Sequence, residues 1–369
     1  QKKGDRWMQR TPGLYVALQK DGIIKTSTDY TLAFEGPGKY FISEAEAAKK
    51  RGIRLYAMAN TGGLTWDIGT IPYEPMPYQW MKRYKGLIEA KQKYGLCGLM
   101  ESHHYGLWPS FISDLTKKCF TSGNGDMEKC LIEVLCMHFD HDNVELLKSA
   151  LKKWSEAICY FTPSEEDQYG AFSVWPSNPL GIMKCIKPPS EEFAHFGNRI
   201  LKVNYPYTYS SDSGPSIMAK SLPFIRVRKE IKSLEKAYLY MQQGLEILSK
   251  IQNPNNELLY LINLGMYISC CIQTGINAKK WFVVISEIRS CDDKEKIISL
   301  LSDAKDILYR EIENATSAIP LVQRDSRLGY EPSMDYMCDE AHIRWKLKHA
   351  NYVLKKEFAA FERDLNIKI

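Results

Sequence analysis

The chain has 369 residues, 44% of them hydrophobic and 25% charged, with a formal net charge of +5, the composition of a globular protein with two domains or one large domain and an appendage. Its basic residues are spread without a dominant block, so no nucleic-acid partner is expected. The longest apolar stretch, Leu258 to Ile272, is too short and too interrupted by polar residues to predict a bilayer span, and no signal peptide is read, so no membrane partner is expected either.

Residues 1–28 are polar and mixed, with short apolar runs at Leu14 to Leu18 and Gly22 to Ile24. Tyr30 to Phe34 reads as a strand and Glu35-Gly-Pro-Gly38 as a loop. A helix is predicted from Ser43 to Arg51, with Ser43 and Glu46 at capping-box spacing. Gly52 ends it, and Ile53 to Ala59 reads as the next strand, leaving through Asn60-Thr-Gly-Gly-Leu-Thr-Trp-Asp67. A Pro-rich loop leads to a helix from Tyr78 to Tyr94, stopped by Gly95. Leu96 to Met100 is the third strand, and it leaves through Glu101-Ser-His-His-Tyr-Gly-Leu-Trp108 before an amphipathic segment from Phe111 to Phe120. Strand, polar aromatic loop and helix thus recur three times, the pattern of a parallel sheet with crossover helices. The expected fold class is α/β plus all-α. Residues 1–125 are read as the C-terminal part of a (β/α)8 TIM-type barrel, with an N-terminal segment or a second chain completing it, because three βα units cannot close eight strands; the alternative is a smaller, open sheet.

From Asp126 the pattern turns helical. Met127 to Phe139 and Val144 to Tyr160 flank His138-Phe-Asp-His-Asp-Asn143, read as a polar interhelical loop rather than a ligand cluster. Residues 161–224 are irregular, so 126–224 is expected to be a helical linker with a long loop. Residues 225–369 are expected to form a helical bundle. Its stripes are Ile231, Leu234, Tyr238, Met241, Leu245 and Leu248; Ile297, Leu301, Ala304, Leu308 and Ile312; and Ile343, Leu347, Ala350, Leu354, Phe358 and Phe361, with Leu258 to Ile272 as the buried helix.

Carbohydrate sites combine carboxylates for acid/base work with flat aromatic rings for sugar faces. The three strand exits supply both: Glu35 from the first, Trp66 and Asp67 from the second, and Glu101, His103, His104, Tyr105 and Trp108 from the third. Glu101, at an abrupt strand end, is the first choice for acid/base or nucleophile, with Asp67 or Glu35 as the second carboxylate. Trp66, Tyr105 and Trp108 are stacking candidates, and Asn60, His103 and His104 hydroxyl partners. Arg327, Tyr330 and Glu331 join the substrate-binding candidates from a charged loop between the last two helices. Adjacent His103 and His104 point to opposite faces of an extended chain, so no metal is expected. No cofactor is expected: the sequence has no P-loop, no GxGxxG and no GxSxG.

The ten cysteines, at 97, 119, 130, 136, 159, 185, 270, 271, 291 and 338, include no CxxC pair. They read as reduced core thiols in a cytoplasmic protein.

Two segments, Ala57-Met-Ala-Asn-Thr-Gly-Gly63 with Trp66-Asp67 and Leu99-Met-Glu-Ser-His-His-Tyr-Gly106 with Trp108-Pro-Ser110, carry a resemblance, supported by Asp167-Gln-Tyr-Gly170 and Asp325-Ser-Arg-Leu-Gly-Tyr-Glu-Pro332. With them the chain resembles the second half of an uncharacterised group of bacterial glycoside-hydrolase-like proteins, distantly similar to family 20 hexosaminidases and family 67 α-glucuronidases. The resemblance implies a barrel followed by a helical domain, with Glu101 facing a sugar subsite. The adjacent Asp-Glu pair of family 20 strand 4 is absent, so substrate-assisted chemistry is not implied. The leading expectation is therefore a glycosidase-like hydrolase acting on an oligosaccharide or glycoside. Behind it stand a non-catalytic glycan-binding protein with a barrel-like cleft, and a helical scaffold with an interaction surface.

Overall fold

A computed structural model of the chain describes residues 16–18, 24–26, 32–59, 61, 68, 71–100, 109–121, 125–139, 141–161, 176–177, 180, 223–289, 291–331 and 335–364. Six short strands are among them: β1 (Val16–Leu18), β2 (Ile24–Thr26), β3 (Leu55–Met58), β4 (Leu96–Met100), β5 (Tyr330–Glu331) and β6 (Asp335–Tyr336). The helices are α1 (Lys39–Lys50), α2 (Pro77–Tyr94), α3 (Phe111–Thr121), α4 (Met127–His138), α5 (Val144–Ala157), α6 (Pro223–Leu248), α7 (Asn256–Arg289), α8 (Lys294–Arg324), α9 (Glu340–Tyr352) and α10 (Phe358–Asp364). The chain divides into two compact units. The first comprises Gln1–Thr162, Lys236–Gly265 and Glu331–Asp335; the second comprises Pro163–Glu235, Met266–Tyr330 and Tyr336–Ile369.

The expected (β/α)8 barrel is not formed. The described residues are mostly helical, and β3 and β4 are the one parallel pair among them. The expected strand at Tyr30 to Phe34 shows why. Leu32 and Ala33 form a turn. The carbonyls of Ala33 and Phe34 accept from Gln79 Nε2 and Arg83 of α2, each at 3.1 Å, so side chains of a helix satisfy groups that a strand would offer to a ladder. The next residues lie close on the same helix, where a Cβ on Gly86 would sit 3.1 Å from the Glu35 carbonyl.

What survives of the α/β pattern is one strand–helix–strand unit. β3 and β4 pair in parallel, with Ala57 opposite Leu99 and Met58 opposite Met100. One sheet face packs on α1 and α2: Leu55, Ala57, Leu96 and Leu99 meet Phe41, Ala45, Leu87, Ala90 and Tyr94. Helix α2 stops where expected because Gly95, at φ +73°, takes the left-handed cap that other residues adopt at a cost. Helix α1 starts earlier than expected, directly after Gly38. Ser43 and Glu46 lie inside it, and no side chain caps its start.

In the second unit parts of two of the expected apolar stripes share a core. Trp281, Ile285 and Ile288 of α7 share a core with Ile297, Leu301, Ala304 and Leu308 of α8, Ala350 of α9 and Phe358 of α10. Helix α7 extends well beyond the apolar stretch that announced it, because Gln273, Thr274, Asn277 and Lys279 interrupt the run while holding hydrogen-bonded partners. Its Asn256–Ile285 segment is long and apolar enough to cross a membrane, with mean hydropathy 1.4, but 72% of that apolar window is buried inside the protein.

Candidate functional site

The carboxyl ends of β3 and β4 lie side by side. Past the last paired residues, the Ala59 N–H donates to the Met100 carbonyl at 3.0 Å. Parallel strands with a crossover helix present their following loops at one edge, where α/β proteins bind ligands. Both aromatic-rich exits depart from this edge.

The described residues around it are firmly held. Thr61 is buried, and its carbonyl accepts from the Tyr84 hydroxyl of α2 at 3.0 Å and from Thr116 of α3 at 2.5 Å. Ile68, Ile71 and Tyr73 are buried. The Tyr73 ring meets Phe111, the first residue of α3, edge-on at 5.8 Å, so the segment that leads into α2 packs on the start of α3. Ser110 and Ser113 cap α3 reciprocally: the Ser113 N–H donates to Ser110 Oγ and the Ser110 N–H to Ser113 Oγ. At the start of α2, the Tyr78 hydroxyl donates to Glu128 at 3.3 Å, and burial first and then Glu128 push its ionisation above the ordinary range.

Of the sequence-predicted site residues, Asn60, Trp66, Asp67, Glu101, His103, His104, Tyr105 and Trp108 lie outside the described residues, as do Asp167 to Tyr169. Glu35 is exposed and forms a 3.1 Å ion pair with Lys82 of α2. In the second unit, Arg327 sets its fork on Asp325, with Nε at 2.9 Å and Nη2 at 2.8 Å, a pairing that commits the guanidinium within its own turn. The Tyr330 ring lies 5.2 Å from that of Tyr336, and Glu331 is the second residue of β5. Arg327, in the turn after α8, and Tyr330, at the start of β5, belong to the second unit, whereas Glu35 belongs to the first.

Two groups escaped the sequence reading. Glu74 is fully buried in the loop between β3 and α2, with its carbonyl accepting from Trp80 Nε1 at 3.0 Å. The apolar run around it, Ile71-Pro-Tyr-Glu-Pro-Met-Pro77, is the signal that its carboxylate goes inside. The other group is a polar network in the second unit, centred on the buried Glu311 of α8. Its carboxylate accepts from Thr274 and Asn277 of α7, each at 2.6 Å, and from the buried ammonium of Lys346 on α9. Lys346 also donates to the Pro176 carbonyl at 2.7 Å. A second buried pair, Lys279 with Glu230 at 3.1 Å, belongs to the same unit. With its charges matched within the fold, the Glu311 network is suited to fixing helix register rather than to chemistry. Among the described residues no cluster of His, Cys, Asp and Glu is arranged to hold a metal ion.

In comparisons with known proteins, no family model, curated protein or solved structure matches the chain, and nothing in them identifies a glycoside-hydrolase-like family.

Proposed function

We propose that this chain binds saccharides at the carboxyl ends of β3 and β4. Trp66, Tyr105 and Trp108 act as stacking platforms, and Asn60, Asp67, Glu101, His103 and His104 as partners for sugar hydroxyls. One observation supports this above the rest. The Ala59 to Met100 hydrogen bond ties the two strand ends together, so two loops of the same aromatic and carboxylate character start from neighbouring residues. Aromatic faces and fixed polar groups within one concave edge are what a sugar ring requires, since it offers an apolar face and a rim of hydroxyls.

The test is calorimetric titration with a panel of oligosaccharides, read in parallel for released sugar. Binding by the parent, weakened at least about tenfold (about 1.4 kcal/mol) by Trp108→Ala and by Glu101→Gln, is the expected result. Absence of binding across the panel, or binding that neither substitution changes, would overturn the proposal. Release of sugar by the parent, abolished in Glu101→Gln, would extend the function to glycosidic-bond cleavage with Glu101 as acid/base.

A further inference from the structure

Away from the strand exits, one imidazole stands between two carboxylates of the first unit. His138 closes α4. Its Nε2 lies 3.0 Å from Asp114 Oδ2 on α3, and its Nδ1 lies 2.6 Å from Glu257 Oε2 in the first turn of α7. An ionised carboxylate only accepts, and a neutral imidazole carries a single N–H. Both contacts are therefore hydrogen bonds only while the ring holds two protons. The two ring nitrogens face away from each other, so the three groups do not converge on one ion.

We infer that His138 is a protonation-dependent clasp, which as imidazolium ties α3 and the start of α7 to the end of α4 and releases one of them when a ring proton leaves. The surrounding charges set which one. From α3, Asp114 also accepts from Lys117 at 2.9 Å. Burial pushes the Asp114 carboxyl up, and the bonds from Lys117 and His138 outweigh that and hold it below the ordinary range. From α7, Glu257 is 60% exposed and is the carboxylate that water takes over. Asn255, before α7, donates from Nδ2 to the His138 carbonyl at 3.2 Å and accepts the Leu258 N–H at 2.8 Å. That uncharged link stays in place when the clasp opens. The Phe139 ring, tilted at 6.1 Å, is the aromatic neighbour.

Two measurements test the clasp. Long-range proton–nitrogen correlation spectra of the histidine rings report directly whether both nitrogens of His138 are protonated. Denaturant unfolding of the parent and of His138→Gln, compared at about pH 5.5 and about pH 8.5, reports the consequence on either side of the ordinary imidazole range. The expected result is a doubly protonated ring on the acid side. With it, the unfolding constants of parent and variant should differ about three- to fivefold more at the lower pH, the size of a solvent-accessible ion pair. A ring held as a single neutral tautomer wherever the protein is folded, or a parent–variant difference that ignores pH, would overturn the inference. The spectra need only the parent chain, so the clasp is tested even if the variant does not fold.

Discussion

The indole of Trp154 occupies the space that a side chain on Gly265 would need. A Cβ built on Gly265 of α7 would lie 2.4 Å from Trp154 Cζ2, and one on Gly244 of α6 would lie 2.2 Å from its Nε1. Trp154, on α5, is fully buried and donates from Nε1 to the Met241 carbonyl at 3.1 Å. Two glycines therefore let a tryptophan slot between helices of the first unit. Gly265→Ala should destabilise by about 1–3 kcal/mol, the range for overfilling a packed core. Trp154→Phe should relieve the crowding in that variant while losing the hydrogen bond. Urea unfolding of the two single variants and the double variant measures both effects.

Glu311 is the acceptor on which three side chains depend. Glu311→Ala leaves the Lys346 ammonium buried without its carboxylate and should cost about 3–5 kcal/mol, the range for breaking one side of a buried pair. A double replacement, Glu311→Leu with Lys346→Met, removes both charges and should cost much less than that single substitution. Denaturation midpoints decide between this order and the reverse.

His349 predicts an acid limit on stability. It is buried and stacked on Trp345 with ring centroids 5.7 Å apart; burial first, and Lys346 second, lower its pKa to about 4. The unfolded chain takes up that proton near the ordinary histidine value of about 6.5. Between the two values the unfolded state binds more protons, so stability rises with pH across that window and is lost as the pH falls through it. The contribution is about 3 kcal/mol at full extent. His349→Phe keeps a flat ring beside Trp345, and the parent–variant difference in unfolding free energy should flatten above about pH 6.5.

The cysteines should separate sharply in reactivity, since the thiolate is the nucleophile. Cys97 is exposed at the β4 irregularity. Burial pushes the Cys119 thiol up to about 12, with the neighbouring Cys130 adding to it, and burial pushes Cys270 and Cys338 up to about 11. Under native alkylation Cys97 should label first, with Cys119, Cys270 and Cys338 protected until denaturant is added. Peptide mass spectrometry resolves the order.

Much of the helical architecture was legible because it is periodic. The spans of α2 to α5 are close to those read from the sequence, and the stripe through Ile297, Leu301, Ala304 and Leu308 faces the core. The polar interior was less legible, because charged residues sit on faces expected to be apolar. Lys346 and His349 are buried on α9, whereas Leu347, assigned to its stripe, is only partly so. Glu311 is likewise inside while Ile312 is half-covered. Periodicity locates a buried face, but which polar residues join it depends on partners from distant helices. The barrel expectation failed through the same kind of distant effect. Tyr30 to Phe34 has a strand-like composition, yet Gln79 and Arg83 claim the carbonyls at its end. Strand propensity yields to such tertiary partners.

Whether the exits of β3 and β4 form one saccharide site is decided by a double-mutant cycle between them. Affinity for the best-binding sugar of the panel would be measured for the parent, Trp66→Ala, Trp108→Ala and the double variant. One shared site predicts a coupling of at least about 0.5 kcal/mol, because both rings would hold the same ligand. Strictly additive effects, or a panel in which no saccharide binds, would rule out a shared saccharide site.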